Sequence, residues 1–509
     1  MEPLHVPMST PAVLFTFLCV VLAFFKLWSK LSGGHKNLPP GPRKLPVIGN
    51  IHNLAAGGPL AHRTLKQLAD TYGPIMHLQL GQISTVVVST PEMAKEVMKT
   101  KDANFAQRPQ SIAAHTIFYN CTDMVFTHQV EYGRELRKIC VMELLNQKRV
   151  LSFRPIRQEE SVNLIRGIAS STGKPVNVRA SIRSMSYKVI ARALIGRRAE
   201  TDERYIQLTK EVVELLGGFN LAESFPSFSF LPRITGLRSR LDRIQNEING
   251  ILDGIITEHM ELRKKSTSDI TGAEEDILHV LLDLQEQNKL EFPLTRDSIK
   301  ANLQAMILAG IDTASTAIEW AFIELMKNPA LRDKATKELR DVFGKQGKVD
   351  EAEFHKLEYL KLVIKETLRK HPSAPLLIPR ESIEECEIKG YNIPAKTRVI
   401  INAWAISTNP KYWEDPDTFK PERFLDNERT FDYRGNQFEY LPFGSGRRMC
   451  PGVAMGLTNV ELGLANLLFN FDWKLPEGQR PEDLSLSENF GLSVGRKEDL
   501  YAIPIPYTP

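Results

Sequence analysis

Residues 442–452 read PFGSGRRMCPG: Cys450 follows a glycine-rich turn and two arginines and stands directly before Pro451. A structural cysteine usually sits in an apolar run, where it packs as a small hydrophobe. Pro451 suits a first helical turn, and the apolar residues of GVAMGLTNVELGLANLLFNF recur at helical spacing. The sulfur is therefore expected at a helix N-terminus, where amide N–H groups and the helix dipole favour a thiolate. Gly444, Gly446 and Gly452 would let the backbone approach something flat and large, and Arg447 and Arg448 offer donors to carboxylates. A catalytic nucleophile would need a base, and the nearest upstream histidine is His371. Folding could still bring one, so that reading stays open. A zinc site would need cysteines or histidines paired at short spacing, and none are. A lone thiolate suits haem iron, where its electron donation favours O–O cleavage.

Two further stretches place chemistry in elements. ANLQAMILAGIDTASTAIEWAFIELM (301–326) is a long apolar helix interrupted by Gly310, Asp312, Thr313, Ser315 and Thr316. A mid-helix glycine costs about 1 kcal/mol, and a carboxylate on an apolar face is costly unless it is used. The Thr313 hydroxyl can also bond back to the preceding turn. In KETLR, Glu366 and Arg369 stand three apart, share a helix face and can pair.

PFGSGRRMCPG resembles the F-x-x-G-x-R-x-C-x-G signature of the cytochrome P-450 superfamily, the haem-thiolate monooxygenases, through Phe443, Gly446, Arg448, Cys450 and Gly452. With the other motifs the resemblance spans nearly the whole chain, and it is nearest to the plant microsomal group of terpenoid and alkaloid oxidases. It implies a mainly α fold with small β-sheets: a long central helix over the haem, a cysteine-ligand loop and a meander. It implies haem b as cofactor, with Cys450 as the axial iron ligand and Phe443, Gly446 and Arg448 around it. Arg380 of KHPSAPLLIPRES and Arg137 are carried over as haem-propionate partners. Arg423 of FKPERF is carried over as the residue that closes a structural network with Glu366 and Arg369. The A-G-x-D-T segment implies that Gly310 makes room for dioxygen and that Asp312 and Thr313 are the acid–alcohol pair relaying protons during its reduction.

The resemblance also implies a substrate pocket formed by His115, Phe118, Asn220, Ala305, Ala309, Leu376, Leu377, Ile378 and Leu492, with His115 and Asn220 as polar hooks. Such an apolar pocket suits a greasy substrate. A sesqui- or diterpenoid, hydroxylated or epoxidised, is expected, with an indole-type alkaloid as alternative. No flavin or dinucleotide fingerprint occurs, so electrons must arrive from elsewhere; the resemblance implies that NADPH and flavins act only through a partner, NADPH–cytochrome reductase. It would dock on basic residues such as Arg134, Lys138, Lys148, Arg149 and Arg447. One element departs from the family pattern: where W-x-x-x-R is usual, Arg137 is present but Gly133 replaces the tryptophan. Two rival readings follow, a haem-thiolate isomerase or dehydratase that uses no O2, and a non-catalytic binding protein. The Asp312–Thr313 pair opposes the first; Gly133 is the only support for the second.

The elements that must position these residues are helical. PEMAKEVMKTK (91–101), IQLTKEVVELLGG (206–218), LDRIQNEINGILDGIITEHMELRKK (241–265), EEDILHVLLDLQEQ (274–287) and NPALRDKATKELRDVFG (328–344) carry apolar residues three and four apart. Strand-like runs are short: 75–81, 84–90 and 397–406. The N-terminus differs. Residues 11–25 are apolar, near the roughly 17–25 that a single span needs. Positive charge follows the run and no small-residue cleavage site does. The expected order is a lumenal tip (1–10), a transmembrane signal anchor (11–30), a Pro/Gly-rich hinge (31–60) and a cytoplasmic domain (61–509) at the endoplasmic reticulum membrane. Sixty-five basic against 61 acidic residues give a net charge of +4, too balanced for a nucleic-acid partner. Five scattered cysteines argue against a disulfide framework.

Overall fold

Apolar residues at three- and four-residue spacing bury a stripe only when helices pack on one another, and that packing dominates this chain. A computed structural model describes residues 37–196, 203–217, 220–265, 276–288, 290–425, 430–489 and 491–508. The expected tip and anchor, residues 1–30, lie outside the described residues. The site is built by helices α1 (Ile112–Ile117), α2 (Val130–Ile139), α3 (Arg154–Ala169), α4 (Val178–Ile195), α5 (Glu203–Leu216), α6 (Leu237–Lys265), α7 (Arg296–Lys327), α8 (Tyr359–Lys370) and α9 (Val453–Asn470). Strands β1 (Ile75–Leu80), β2 (Ile83–Val88), β3 (Arg380–Glu381) and β4 (Arg398–Ile401) form one sheet in the order β1-β2-β4-β3. Only the β2–β4 pairing is parallel.

The centre is α7, 32 residues long, packed against α4 and α9, with α3 behind them. It starts where the Thr295 hydroxyl accepts the Ser298 N–H and ends before Pro329. Almost every residue from Ser298 to Met326 is buried. Among the described residues α7 alone is long and apolar enough to cross a membrane, and most of that window is buried in protein, as in a core helix. Helix α6 buries Leu241, Ile244, Ile248, Leu252 and Ile256 along one stripe and lies over α1 and α5.

Two expectations change. The run 397–406 is a strand only to Ile401; Asn402 accepts the Ala405 N–H and caps a short helix, Ala403–Ser407. The residues read as a hinge are, from residue 38 on, laid against β1. The His77 N–H bonds Pro40 O at 2.8 Å, and the Asn50 side chain ties Pro42 and Arg43 to Gln79. Gly41 is needed there, since a Cβ would sit 2.1 Å from His77 O.

A buried cluster locks α7 to the chain leaving α8. Glu324 accepts from His371 (2.7 Å) and Lys370 (2.9 Å), and His371 stacks on Trp320 with ring centroids 4.1 Å apart. Burial pushes the Glu324 carboxyl up, but His371 and Lys370 overcome it and hold the pKa at about 2. That is below the unfolded value, so its stabilisation is complete above about pH 4.5 and is lost as pH falls towards 2. Glu324→Gln is expected to lose about 3 kcal/mol at neutral pH and much less near pH 3; thermal melts of both chains across this range check it.

Candidate active site

The cysteine loop folds back on itself through the Cys450 N–H, which bonds Phe443 O at 2.9 Å. Gly444 and Gly446 adopt φ of +69° and +71°. At Gly446 even the space is glycine's alone, because a Cβ would lie 2.2 Å from Met98 O. Arg137 of α2 donates to Met449 O, fixing the loop beside the sulfur. Burial pushes the Cys450 thiol up, while the Gly452 N–H and the Arg137 charge pull the other way without prevailing. A cation at the sulfur would favour loss of that proton. Cys450 presents open surface, yet enough protein surrounds it to raise its pKa, so that surface faces inward onto a cleft.

Beside the loop four guanidinium groups converge. Arg448 donates to Ala106 O, Met124 O and Thr127 O. Arg380 donates to Asp102 (2.7 Å) and Ser445 O (2.8 Å). Arg108, which sequence reasoning missed, donates to Val125 O, Ile378 O and Pro379 O. Burial lowers the pKa of all four, and mutual repulsion adds to it at Arg108, Arg380 and Arg448, the last reaching about 10. Their buried counter-charges are Asp102 and Asp123. Four cations less two carboxylates leave two positive charges uncompensated. The two propionates of haem match that surplus, and the inward-facing sulfur matches its iron, so the residues present fit this group. Arg137, Arg380, Arg448 and Arg108 would hold the propionates and Cys450 the metal. When bound, haem supplies binding and reductive activation of dioxygen.

On α7, Ala309 and Thr313 are exposed in the middle of an otherwise buried helix. The Thr313 hydroxyl bonds back to Ala309 O (2.6 Å), and its carbonyl accepts the Ser373 hydroxyl (3.0 Å). The chain from Ser373 runs to Leu377, whose Cδ1 approaches Gly444, and to Arg380 on the cysteine loop; it thus bridges α7 to the sulfur. Asp312 points elsewhere: it is buried and pairs with Arg183 of α4 at 2.9 Å. Gly310 has a packing use. A Cβ there would lie 2.9 Å from Ile190 Cδ1, so this glycine lets α4 close on α7.

Behind the cysteine loop Glu366 and Arg369 are fully buried and paired twice (2.8 and 2.9 Å). Arg423 and the Lys420 N–H complete the Glu366 shell, and Arg369 also binds Ser407 O and Pro416 O. Of the pocket residues, Leu376, Leu377 and Leu492 line one cleft with Leu216, Pro375 and Ile400. Phe118 is buried and stacked on Phe126; Ala305 is buried on α7. Ile378 gives its carbonyl to Arg108. Neither expected polar hook lines that cleft. His115 is exposed on α1, and the Asn220 side chain caps the turn Leu221–Ser224 by accepting the Ala222 N–H.

Fold and site together define a haem-binding oxidoreductase with a cysteine ligand. The Cytochrome P450 family profile matches residues 39–502. Salviol synthase of Salvia pomifera is 48% identical, covering 96% of each chain. Premnaspirodiene oxygenase of Hyoscyamus muticus is 45% identical over 97% of this chain and 98% of its own. Tabersonine 6,7-epoxidase isoform 1 of Catharanthus roseus is 46% identical over 92% and 91%. A zebra fish cytochrome P450 solved with abiraterone shares the fold, with a TM-score of 0.74 at 24% identity over 88% of this chain and 100% of that one. The chain belongs to the cytochrome P450 family. Its relatives include plant terpenoid and alkaloid oxidases.

The departure at Gly133 has a local cause. Helix α2 runs unbroken through it, with the Gly133 N–H bonded to Gln129 O at 2.9 Å. A Cβ at 133 would lie 2.7 Å from Thr127 Cγ2 and 3.6 Å from both terminal nitrogens of Arg448. Thr127 is buried, and its carbonyl is one of the Arg448 acceptors. The glycine is thus matched to Thr127 and gives Arg448 its seat. Gly133→Ala should gain about 1 kcal/mol of helix propensity but lose about 1–3 kcal/mol to crowding. In a Thr127→Ala background only the gain remains. Melting of the four chains of this double-mutant cycle, with haem content from the reduced carbon-monoxide spectrum, checks the coupling.

Proposed function

We propose that this enzyme inserts one oxygen atom of O2 into a sesqui- or diterpenoid, by hydroxylation or epoxidation, with electrons from NADPH delivered by NADPH–cytochrome reductase. The observation that carries the substrate class is the chemistry of the pocket. The cleft is lined mostly by apolar residues, Leu216, Leu376, Leu377, Ile400 and Leu492 among them; its one charged residue among those described, Arg398, is a cation, and the carboxylates Asp102, Asp312 and Glu223 are engaged by Arg380, by Arg183, and by Ser111 with the Ala113 N–H. A protonated amine would lie there without a counter-ion, which costs far more than burying hydrocarbon. An indole-type alkaloid is the second reading, supported by the 46% identity to tabersonine 6,7-epoxidase. The open position of Thr313 favours oxygen activation over an O2-independent rearrangement.

The membrane setting is part of the same reading. Leu45, Val47, Leu221, Phe228, Phe230 and Ile234 are exposed. They belong to neighbouring segments, since Gly81 bonds Ile48 O and Gln82 bonds Ser224 O. Such a patch suits contact with lipid at the endoplasmic reticulum, held there by residues 11–30, with the catalytic body in the cytoplasm. A lipid-side opening suits a substrate that partitions into the bilayer.

A second exposed stretch suits the reductase: Val141, Met142 and Leu151 are exposed there, as are Arg134, Lys138 and Lys148 in the same part of the sequence. Arg134 and Lys138 also touch Glu131 and Glu135, pairs exposed enough to exchange for a partner's acids. Lys138→Glu with Lys148→Glu is expected to raise the KM for reductase several-fold, less so at high salt, with the carbon-monoxide spectrum unchanged. The chain co-expressed with a reductase and fed terpene and alkaloid scaffolds is expected to yield mass-shifted terpenoids, and Cys450→Ala none. Oxygenated alkaloids alone would transfer the assignment to the second reading.

A further inference from the structure

Insertion of one oxygen atom and release of the other as water consumes two protons for every two electrons, and both must come from solvent to a buried helix. Asp312, Thr316 and Glu319 stand four and three apart, one stripe of α7 about 10 Å long. All three are buried. Facing this stripe, Arg183 and Arg179 stand four apart on α4. Arg183 pairs with Asp312 (2.9 Å) and Arg179 with Glu319 (3.2 Å), two rungs between the same helices. The outer end reaches the surface: Arg179 also pairs with Asp499 (3.4 Å), which is half exposed. The chain near Gly495 lies close on the stripe, a Cβ there being 3.2 Å from Arg179 Nη2 and 3.6 Å from Thr316 Oγ1.

Glu319 is not a finished ion pair. Its Oε1 is buried without a hydrogen-bond partner, and so is Nη1 of the neighbouring buried Arg496. Each orphaned carboxylate oxygen costs about 1–3 kcal/mol. An unpartnered oxygen can take a proton. Burial pushes this carboxyl up to about 7 although Arg179, Arg496 and Arg183 oppose it; Asp499 adds to the rise. The other charged groups facing it are Asp312 on its own helix and Glu498 beside Arg496.

We propose that Glu319 is a positioning residue for protons, a reservoir that resupplies Asp312 from solvent at the Asp499 end. In each cycle the Glu319 O–H bond breaks, the proton passes by way of Thr316 to the Asp312 carboxylate, and solvent protonates Glu319 again. The inference rests on the oxygenase reading above.

Glu319→Gln keeps the shape and removes the titration. In the wild-type minus variant difference spectrum of the holoenzymes a protonated-carboxyl infrared band should titrate near pH 7, which separates Glu319 from Glu461, a buried carboxyl also pushed up to about 7. The variant should keep its carbon-monoxide spectrum and melting temperature, while its product formed per NADPH falls several-fold, loses its inflection near neutral pH and shows a larger solvent deuterium isotope effect. Glu319→Asp should restore part of the pH profile. Should Glu319→Gln fail to fold, exposed Asp499→Asn carries the test by moving band and inflection together to lower pH. A variant with wild-type coupling and isotope effect, no titrating band in that difference spectrum, or no band moved by Asp499→Asn overturns the proposal. Loss of all oxygenation in the wild type would instead overturn the oxygenase reading, and the infrared titration stands apart from it.

Discussion

Four guanidinium groups held together out of water form the constraint around which this molecule is arranged. Like charges in a medium of low dielectric repel strongly, and each also loses its hydration. The chain tolerates the arrangement because every group is lashed to carbonyl oxygens of a distant segment. Arg108 binds residues 125, 378 and 379; Arg448 binds 106, 124 and 127; Arg137 reaches 449 and Arg380 reaches 445. These bonds stitch the segment before α1, the start of α2, the strand β3 and the cysteine loop into one wall. They do not neutralise the charge. A dicarboxylate that binds the folded wall and not the unfolded chain therefore stabilises the fold through its affinity. Cofactor retention and folding are one equilibrium here.

That wall has to be held at a fixed distance from α7, and the means are polar on one side and steric on the other. The Glu366–Arg369–Arg423 cluster is a poor source of net stability, since desolvation offsets most of its attraction. Its value is direction. Arg369 donates to carbonyls at 407 and 416, so the meander can pack behind the cysteine loop in only one way. On the far side, Gly310 against Ile190 and Gly463 against Ile318 bring α4 and α9 close to α7, and a single added methyl at either glycine would push a helix away.

The parts of this site legible in the sequence are those whose logic is local. Cys450 with its glycines, the three-residue step from Glu366 to Arg369, and the polar interruptions of α7 could be read because a turn or a helical face fixes the neighbours of each residue. Arg108, Asp102, Asp123 and Arg183 could not. Each is an ordinary charged residue in its own segment and gains its role from partners up to hundreds of residues away. The buried length of α4 hid them further: it is covered on several sides, so no single stripe marks the face that meets α7. Local reading is also blind to a second use of a residue. Asn220 is a cap and Gly310 a packing glycine, and neither use changes the sequence pattern from which a pocket or an oxygen seat was expected. Gly133 is the opposite case. Its sense lies in Thr127, six residues away, where no periodicity connects them.

Successive helical residues point about 100° apart, and this separates the two tasks of α7. Ala309 and Thr313 share the side that opens on the cleft; Asp312, one step earlier than Thr313, is turned towards Arg183 and the charged stripe. An acid placed on the cleft side would face hydrocarbon substrate with no partner and would take up a proton permanently. Placed on the α4 side it keeps an arginine as its partner. The apolar cleft and the charged stripe are therefore compatible because they occupy different faces of one helix, Thr313 open on the first and Asp312 paired on the second.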